Sequence, residues 1–156
     1  IKRRYPAPPF NIKKHWYYLK QKNYVYFQEY IPDNDFDIRI TTIGRRAFGF
    51  IRYNRKDDFR ASGSGDIHYH LDKIPLEAVK LALDISIQNN FQSMAYDFLM
   101  DTNNQPVINE ISYCYQNLAV YNCPGHWDVD MVWHEGHVWP ENAIIEDFIQ
   151  LIKSRL

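Results

Sequence analysis

The chain has 156 residues, of which 46% are hydrophobic and 24% charged, and its formal net charge at pH 7 is −1. This length is enough for one domain with its own hydrophobic core, and the near-neutral charge argues against a surface that attracts polyanions over its whole extent. The sequence contains no run of about 18 apolar residues, so no membrane span is predicted.

The cysteines and the first residue indicate the context of the chain. Cys114 and Cys123 are its only cysteines, which fits a reducing compartment, so we expect a cytoplasmic location, although one disulfide between the two stays possible. The first residue is Ile1 and not an initiator methionine, so we expect a fragment or a processed product of a longer protein.

The predicted elements begin after a linker. Residues 1–23 are basic and then proline-rich, and they are predicted to form an extended arm with one short helix at 12–22. Residues 24–156 are predicted to form the domain. Its first three strands, at 24–31, 36–43 and 46–53, are rich in β-branched and aromatic residues and are separated by short turns, which favours an antiparallel sheet.

Two helices are predicted to pack on this sheet. After a polar, glycine-containing loop at 54–66, the first spans 75–89, with an apolar stripe of Leu76, Val79, Leu83 and Ile87. After an irregular stretch at 113–140, the second spans 141–153, with inward-facing apolar residues Ile144, Ile145, Phe148, Leu151 and Ile152. The predicted fold class is therefore α+β, an antiparallel sheet with packed helices.

A β-hairpin at 93–112 places two carboxylates together. If Asn103 and Asn104 form a two-residue turn, Thr102 pairs with Gln105 and Asp97 lies opposite Glu110. Side chains alternate along a strand, so one face is predicted to carry Ala95, Asp97 and Leu99 with Ile108, Glu110 and Ser112. Opposed carboxylates repel, and a divalent cation such as Mg²⁺ would relieve the repulsion; a merely solvated acidic pair is the alternative.

Seven cationic residues lie between positions 39 and 60: Arg39, Arg45, Arg46, Arg52, Arg55, Lys56 and Arg60. Arginine binds phosphate with two parallel hydrogen bonds, so cations beside a two-carboxylate metal site suggest a bound nucleoside triphosphate. A solvated basic face or a nucleic-acid patch is the alternative, and interspersed acidic residues weaken the nucleic-acid interpretation. We therefore predict no nucleic-acid partner.

Histidines occur in two close pairs, His68 with His70 and His134 with His137. Neither pair has a cysteine at a spacing typical of zinc sites, so ordinary surface or hydrogen-bonded histidines are the preferred interpretation.

The order of these segments resembles the C-terminal half of an ATP-grasp enzyme, of the branch that includes glutathione synthetase and ribosomal-protein glutamate ligases. The resemblance covers most of residues 24–112, and it rests on the strand VYFQEYI, Asp37 with Arg39, the strand ending at Arg52, the stretch DFRASGSG, a helix, and then YDFL and INEIS. The following stretch, YCYQNLAVYNCPGHWD, resembles ATP-grasp proteins of bacterial cell-surface polysaccharide gene sets.

The resemblance implies a role for each matching residue. Backbone groups of Gln28, Glu29, Tyr30 and Ile31 would hold adenine, and Asp37 would reach the ribose. Arg39, Arg52 and Arg60 would face the phosphates, with Arg52 and Arg60 stabilising an acyl phosphate. Asp97 and Glu110 would hold Mg²⁺ or Mn²⁺, and Ser112 stands where the family usually has an asparagine as third ligand.

The implied activity is that of a ligase that uses ATP to phosphorylate a carboxylate substrate and then passes the acyl group to an amine acceptor. The family closes its site with an N-terminal subdomain that supplies lysines and a glycine-rich loop, and we expect that subdomain to lie outside this chain. A non-catalytic nucleotide-binding or interaction module that keeps the fold is the alternative.

Overall fold

A computed structural model describes Val25, residues 27–55 and residues 65–155. The chain divides into two compact units, Ile1–Tyr30 and Ile31–Leu156, and all the described helices and strands lie in the second. The predicted helix at 12–22 and residues 56–64 of the predicted loop lie outside the described residues.

The second unit contains an antiparallel sheet with packed helices, which confirms the predicted α+β fold class. The described strands are β1 (Phe36–Ile43), β2 (Arg46–Tyr53), β3 (Ile67–His68), β4 (Ser93–Met100), β5 (Pro106–Ser112), β6 (Gly125–Trp127) and β7 (Trp133–Glu135). Their order is β5-β4-β1-β2-β6-β7, and β3 also pairs with β2. The helices are α1 (Leu76–Gln88), α2 (Asn117–Tyr121) and α3 (Pro140–Lys153), and a short 3-10 turn spans Leu71–Lys73.

One face of the sheet is covered by α1, and the main core lies between them. The buried core residues of β1, β2 and β4 include Ile38, Ile40, Ile51, Tyr96 and Phe98. The side of α1 that packs on them carries small residues, since Ala78, Val79, Ala82, Leu83 and Ser86 are its buried positions. The predicted stripe was therefore half wrong: Val79 and Leu83 are buried, but Leu76 and Ile87 are exposed, because small side chains let the helix approach the sheet on a rotated face.

The opposite face of the sheet has an apolar end and a charged end. Near the β1–β2 turn, Ile43, Phe48 and Phe50 pack under α2 and α3 in a second core cluster with Ala119, Val120, Cys123 and Ala143. Gly44 makes this turn with a φ of +57°, a backbone conformation that glycine adopts without steric cost. The far end of the same face carries the charged residues described below.

The β4–β5 hairpin has the predicted pairing of Asp97 with Glu110 but a different turn. Met100 pairs with Pro106 and the Asp101 N–H donates to the Gln105 carbonyl, so the connection is longer than two residues and Thr102 does not pair with Gln105. A bulge at Asn109 adds one residue to β5 and restores the Asp97–Glu110 pairing. The bulge also moves Ile108 opposite Phe98, so Ile108 lies on the α1 face and not beside Glu110.

One predicted strand and one predicted irregular stretch were wrong. The described residues between 25 and 31 form no strand, because β composition favours extended backbone but a strand also needs a hydrogen-bonded neighbour. Conversely, residues 113–140 were predicted to be irregular, yet they contain α2, β6 and β7. These elements have three to five residues each, too few for a period to show in the sequence.

The predicted C-terminal helix is present, but most of its apolar residues do not face inward. Pro140 and Ala143 are its buried residues, and Ile144 packs against the second core cluster. Ile145, Phe148, Leu151 and Ile152 are exposed. Among the described residues, no helix has both the length and the apolar composition needed to cross a bilayer.

Candidate functional site

Four charged side chains meet at the far end of the sheet and form what we call the charged cluster: Asp37, Arg39, Arg52 and Asp97. The Arg39 guanidinium binds Asp97 through two hydrogen bonds, Nε to Oδ1 and Nη2 to Oδ2, both 2.6 Å. Arg52 binds Asp37 in the same way, with Nε 2.8 Å from Oδ1 and Nη2 donating to Oδ2. The Arg52 Nη2 also donates to Asp97 Oδ2 at 2.7 Å, so one hydrogen-bonded network joins three strands.

The cluster follows directly from strand register. Asp37 is the cross-strand partner of Arg52, and Arg39 is the partner of Asp97. Each pair therefore projects from the same face of neighbouring strands, at the distance where opposite charges stabilise a sheet. The sequence predicts these two strands with a short turn at residues 44 and 45. Pairing the residues outward from that turn sets Asp37 opposite Arg52, so the first ion pair could have been predicted.

The cluster is buried. The exposed fractions are 6% for Asp37, 6% for Arg52 and 3% for Asp97. Burial raises the pKa of Asp37, and the adjacent Arg52 guanidinium lowers it without cancelling that effect. Burial lowers the pKa of Arg52, but hydrogen bonds and charge from Asp37 and Asp97 outweigh it, so the Arg52 pKa lies above its ordinary value. The two arginines and two aspartates balance in charge, which is how these ions are tolerated away from water.

Glu110 and Ser112 lie at the exposed edge of the cluster on β5. Glu110 is exposed and is the cross-strand partner of Asp97, and no ion pair of its carboxylate with another described residue is found. The Ser112 hydroxyl donates to the Cys114 carbonyl and accepts from the Cys114 N–H, both at 3.1 Å. Ser112 therefore closes a local turn, with one acceptor lone pair left over.

The oxygens at this edge suit a hard cation such as Mg²⁺. A carboxylate has about four acceptor positions, and the arginines use three of those on Asp97, two at Oδ2 and one at Oδ1. One position on Oδ1 and the exposed Glu110 carboxylate are left for a metal, and Mg²⁺ commonly takes one or two carboxylates and completes its shell with water and phosphate oxygens. Within the described residues no group of three His, Cys, Asp or Glu side chains is arranged as a metal site, so phosphate and water oxygens would have to complete the shell.

The remaining predicted site residues are Gln28, Glu29, Tyr30, Ile31 and Arg60. Gln28, Glu29 and Tyr30 belong to the first unit, and Ile31 begins the second. None of the four lies in a strand. Arg60 lies outside the described residues.

Three of the four paired histidines are hydrogen-bonded, in agreement with the preferred interpretation. His68 Nε2 lies 2.8 Å from Asp66 Oδ1, and His134 Nε2 lies 2.7 Å from Asp128 Oδ2. His137 Nδ1 lies 2.8 Å from the Tyr121 carbonyl oxygen. Each of these three rings therefore has a hydrogen-bond partner within the chain.

The two cysteines are both free thiols, with Cys114 exposed and Cys123 buried. Burial raises the pKa of the Cys123 thiol to about 12. Since a thiolate is the reactive form, Cys123 acts as a core residue and not as a nucleophile.

Comparison with protein-family models found no match, and comparison with curated proteins found none either.

Replacing Arg52 with Met should destabilise the fold in a pH-dependent way. The substitution leaves Asp37 buried without a cationic partner, and we expect a loss of about 3–5 kcal/mol in the free energy of unfolding at pH 7. Without Arg52 the pKa of Asp37 rises further, so the folded state takes up a proton more readily and the loss should shrink as the pH falls towards 4. Urea denaturation at several pH values measures this.

The matched control is Arg45→Met, an exposed arginine in the β1–β2 turn, which should change stability by no more than about 0.5 kcal/mol. Equal effects of the two substitutions, or a loss at Arg52 that does not vary with pH, would contradict the buried ion-pair network.

His126 should make the fold sensitive to mild acid. Its ring lies against Phe48 and stacks on His134, and its buried Nδ1 has no hydrogen-bond partner among the described residues. Burial lowers the pKa of His126, and the nearby His134 and Arg46 lower it further.

A lowered pKa means that the folded state binds the proton more weakly than the unfolded chain. Stability should therefore be retained above pH 6.5 and should fall as the pH drops below that value. His126→Phe should make the free energy of unfolding less dependent on pH between pH 7 and 5, as measured by denaturant titration at several pH values. An unchanged slope would show that His126 is not its source.

Proposed function

We propose that this chain is the C-terminal, nucleotide-binding part of an ATP- and Mg²⁺-dependent carboxylate–amine ligase of the ATP-grasp type. The single observation that best supports the proposal is the meeting of Asp37, Arg39, Arg52 and Asp97 on one sheet face, with Glu110 at its exposed edge. The resemblance selects Arg39 and Arg52 for the phosphates, Asp97 and Glu110 for the metal, and Asp37 for the ribose. These five residues come from four different strands.

In this proposal Glu110 and the remaining acceptor position on Asp97 Oδ1 hold the metal. When bound, Mg²⁺ would neutralise charge on the β- and γ-phosphates. Arg39 is the least buried ion of the cluster, with 15% of its side chain exposed, so it is the arginine best placed to contact a phosphate oxygen. Asp37 holds Arg52 in a fixed orientation, and that orientation lets Arg52 hold Asp97.

The reaction would transfer the γ-phosphoryl group of ATP to a carboxylate and release ADP. An amine would then attack the acyl phosphate and release phosphate, leaving an amide. Arg52 and Arg60 would stabilise the acyl phosphate, Gln28 to Ile31 would hold adenine, and an N-terminal subdomain would complete the site. We further propose a cytoplasmic enzyme of cell-surface polysaccharide biosynthesis, on the resemblance of residues 113–128.

A second candidate is a non-catalytic module that binds nucleotide or another protein. The observation that favours it is that both oxygens of Asp97 already accept hydrogen bonds from arginines, which occupy three of its about four acceptor positions. In such a module the arginines would stabilise the sheet and would not be released to phosphate, and Ser112 would serve only the turn with Cys114.

Glu110→Gln should weaken Mg²⁺-dependent binding of ATP about tenfold or more and leave the fold intact. The substitution keeps the size of the side chain and removes the exposed charge that the metal would contact, which is why the loss should appear with Mg²⁺ and vanish with EDTA. Isothermal titration with a non-hydrolysable ATP analogue measures it.

The matched control is Glu135→Gln, an exposed glutamate on β7 away from the cluster, which should bind as the parent does. Equal affinity of the Glu110 variant and the parent would contradict the metal role. Release of ADP by the longer protein, dependent on an added acid and amine, then separates the ligase from the module, because a module binds nucleotide without turnover.

A further inference from the structure

Helix α3 carries an apolar stripe that no described part of the chain covers. Its members are Ile145, Phe148, Ile149 and Ile152, spaced at i, i+3, i+4 and i+7, so they lie on one side of the helix. They are 56%, 61%, 45% and 44% exposed, respectively. The side of α3 that faces the sheet is a different one, formed by Pro140, Ala143 and Asp147.

We propose that this stripe binds a second copy of the chain, with the two α3 helices antiparallel about a two-fold axis between Phe148 and Ile149. In that arrangement Ile145 lies opposite Ile152 of the second copy, and Phe148 lies opposite Ile149. Each apolar residue of the stripe then meets another apolar residue, and the contact is the same from both sides, as a symmetric dimer requires.

The charges around the stripe complement themselves in the same register. Glu146 and Lys153 are seven residues apart and therefore lie on the same flank of α3. A two-fold axis between antiparallel helices brings the same flank of both copies to the same side of the helix pair. Glu146 of each copy therefore lies near Lys153 of the other copy, which gives two such contacts. A parallel pairing would instead set like charges side by side.

The groups needed for these contacts are accessible. Glu146 is 60% exposed and accepts a hydrogen bond from Arg46 through Oε2 only, which leaves Oε1 for a lysine. Among the described residues, Lys153 forms no ion pair. The acidic first turn and basic last turn of α3 also interact favourably with the helix dipole, so these charges have a role in the monomer. The helix dipole does not explain the apolar stripe between them.

The contact is small, which sets the expected affinity. Fourteen residues at 1.5 Å each give a helix of about 21 Å, and one helix pair buries less than the roughly 1,200 Å² of a standard stable interface. We therefore expect reversible dimers with a dissociation constant in the micromolar range, to be measured by sedimentation velocity over a concentration series of the 156-residue chain.

Charge reversal tests the register. Glu146→Lys and Lys153→Glu each convert both interhelical pairs into repulsive ones, and each variant alone should dimerise about tenfold more weakly. Mixed in equal amounts, the two variants can form a heterodimer in which both pairs are attractive again, so association should return to the parent level. Failure of the mixture to recover would overturn the antiparallel register.

Two further measurements test whether a loss of dimerisation comes from the interface or from misfolding. Phe148→Glu should abolish dimerisation and leave the melting temperature close to that of the parent, because Phe148 is exposed.

Disulfide cross-linking in a Cys114→Ser background tests the register. Ile149→Cys should form an intermolecular disulfide, since position 149 lies next to the two-fold axis. Ile145→Cys should form one only when mixed with Ile152→Cys. A chain that stays monomeric at several hundred micromolar, as it would if another segment or another protein covers α3, overturns the proposal. The proposal does not depend on the nucleotide site.

Discussion

The site depends on two cross-strand ion pairs, Asp37 with Arg52 and Arg39 with Asp97, and on the one hydrogen bond from Arg52 that joins them. A buried carboxylate without a partner would lower the stability of the fold by several kcal/mol. The ion pairs therefore help to fix the register of β1 against β2 and β4, together with the apolar residues on the opposite face. The cluster therefore has a structural role whatever it binds, and any ligand must be accommodated around it.

This constraint leaves the edge of the cluster as the place where the proposed ligand would bind. The buried ions neutralise one another, and the exposed Glu110 adds one negative charge that the cluster does not balance. A metal with its phosphate would supply the missing balance and would use the one acceptor position that the arginines leave on Asp97. The same geometry also suits a module that binds no nucleotide, because the buried part of the network is complete without a ligand.

Much of the fold could be predicted from the sequence, and the failures have physical causes. Strands β1, β2, β4 and β5 were predicted because alternation and turn residues are local properties. The Asp97–Glu110 pairing was correct although the predicted turn was not, since a longer loop and a bulge at Asn109 offset each other. The outward stripe of α3 was missed because an apolar period shows that a face exists but not what covers it, and the site's ion pairs were missed because register was not extended beyond the turns.

A metal held by Glu110 and Asp97 beside the arginines of the cluster, as proposed, would be directly observable. A crystal structure of the chain grown with Mn²⁺ and a non-hydrolysable ATP analogue measures it through the anomalous signal of manganese. We predict a manganese peak roughly 2.1 Å from a Glu110 oxygen and from Asp97 Oδ1, with a phosphate oxygen completing the shell. Nucleotide bound elsewhere, or bound there with no metal peak between these two carboxylates, would contradict the account.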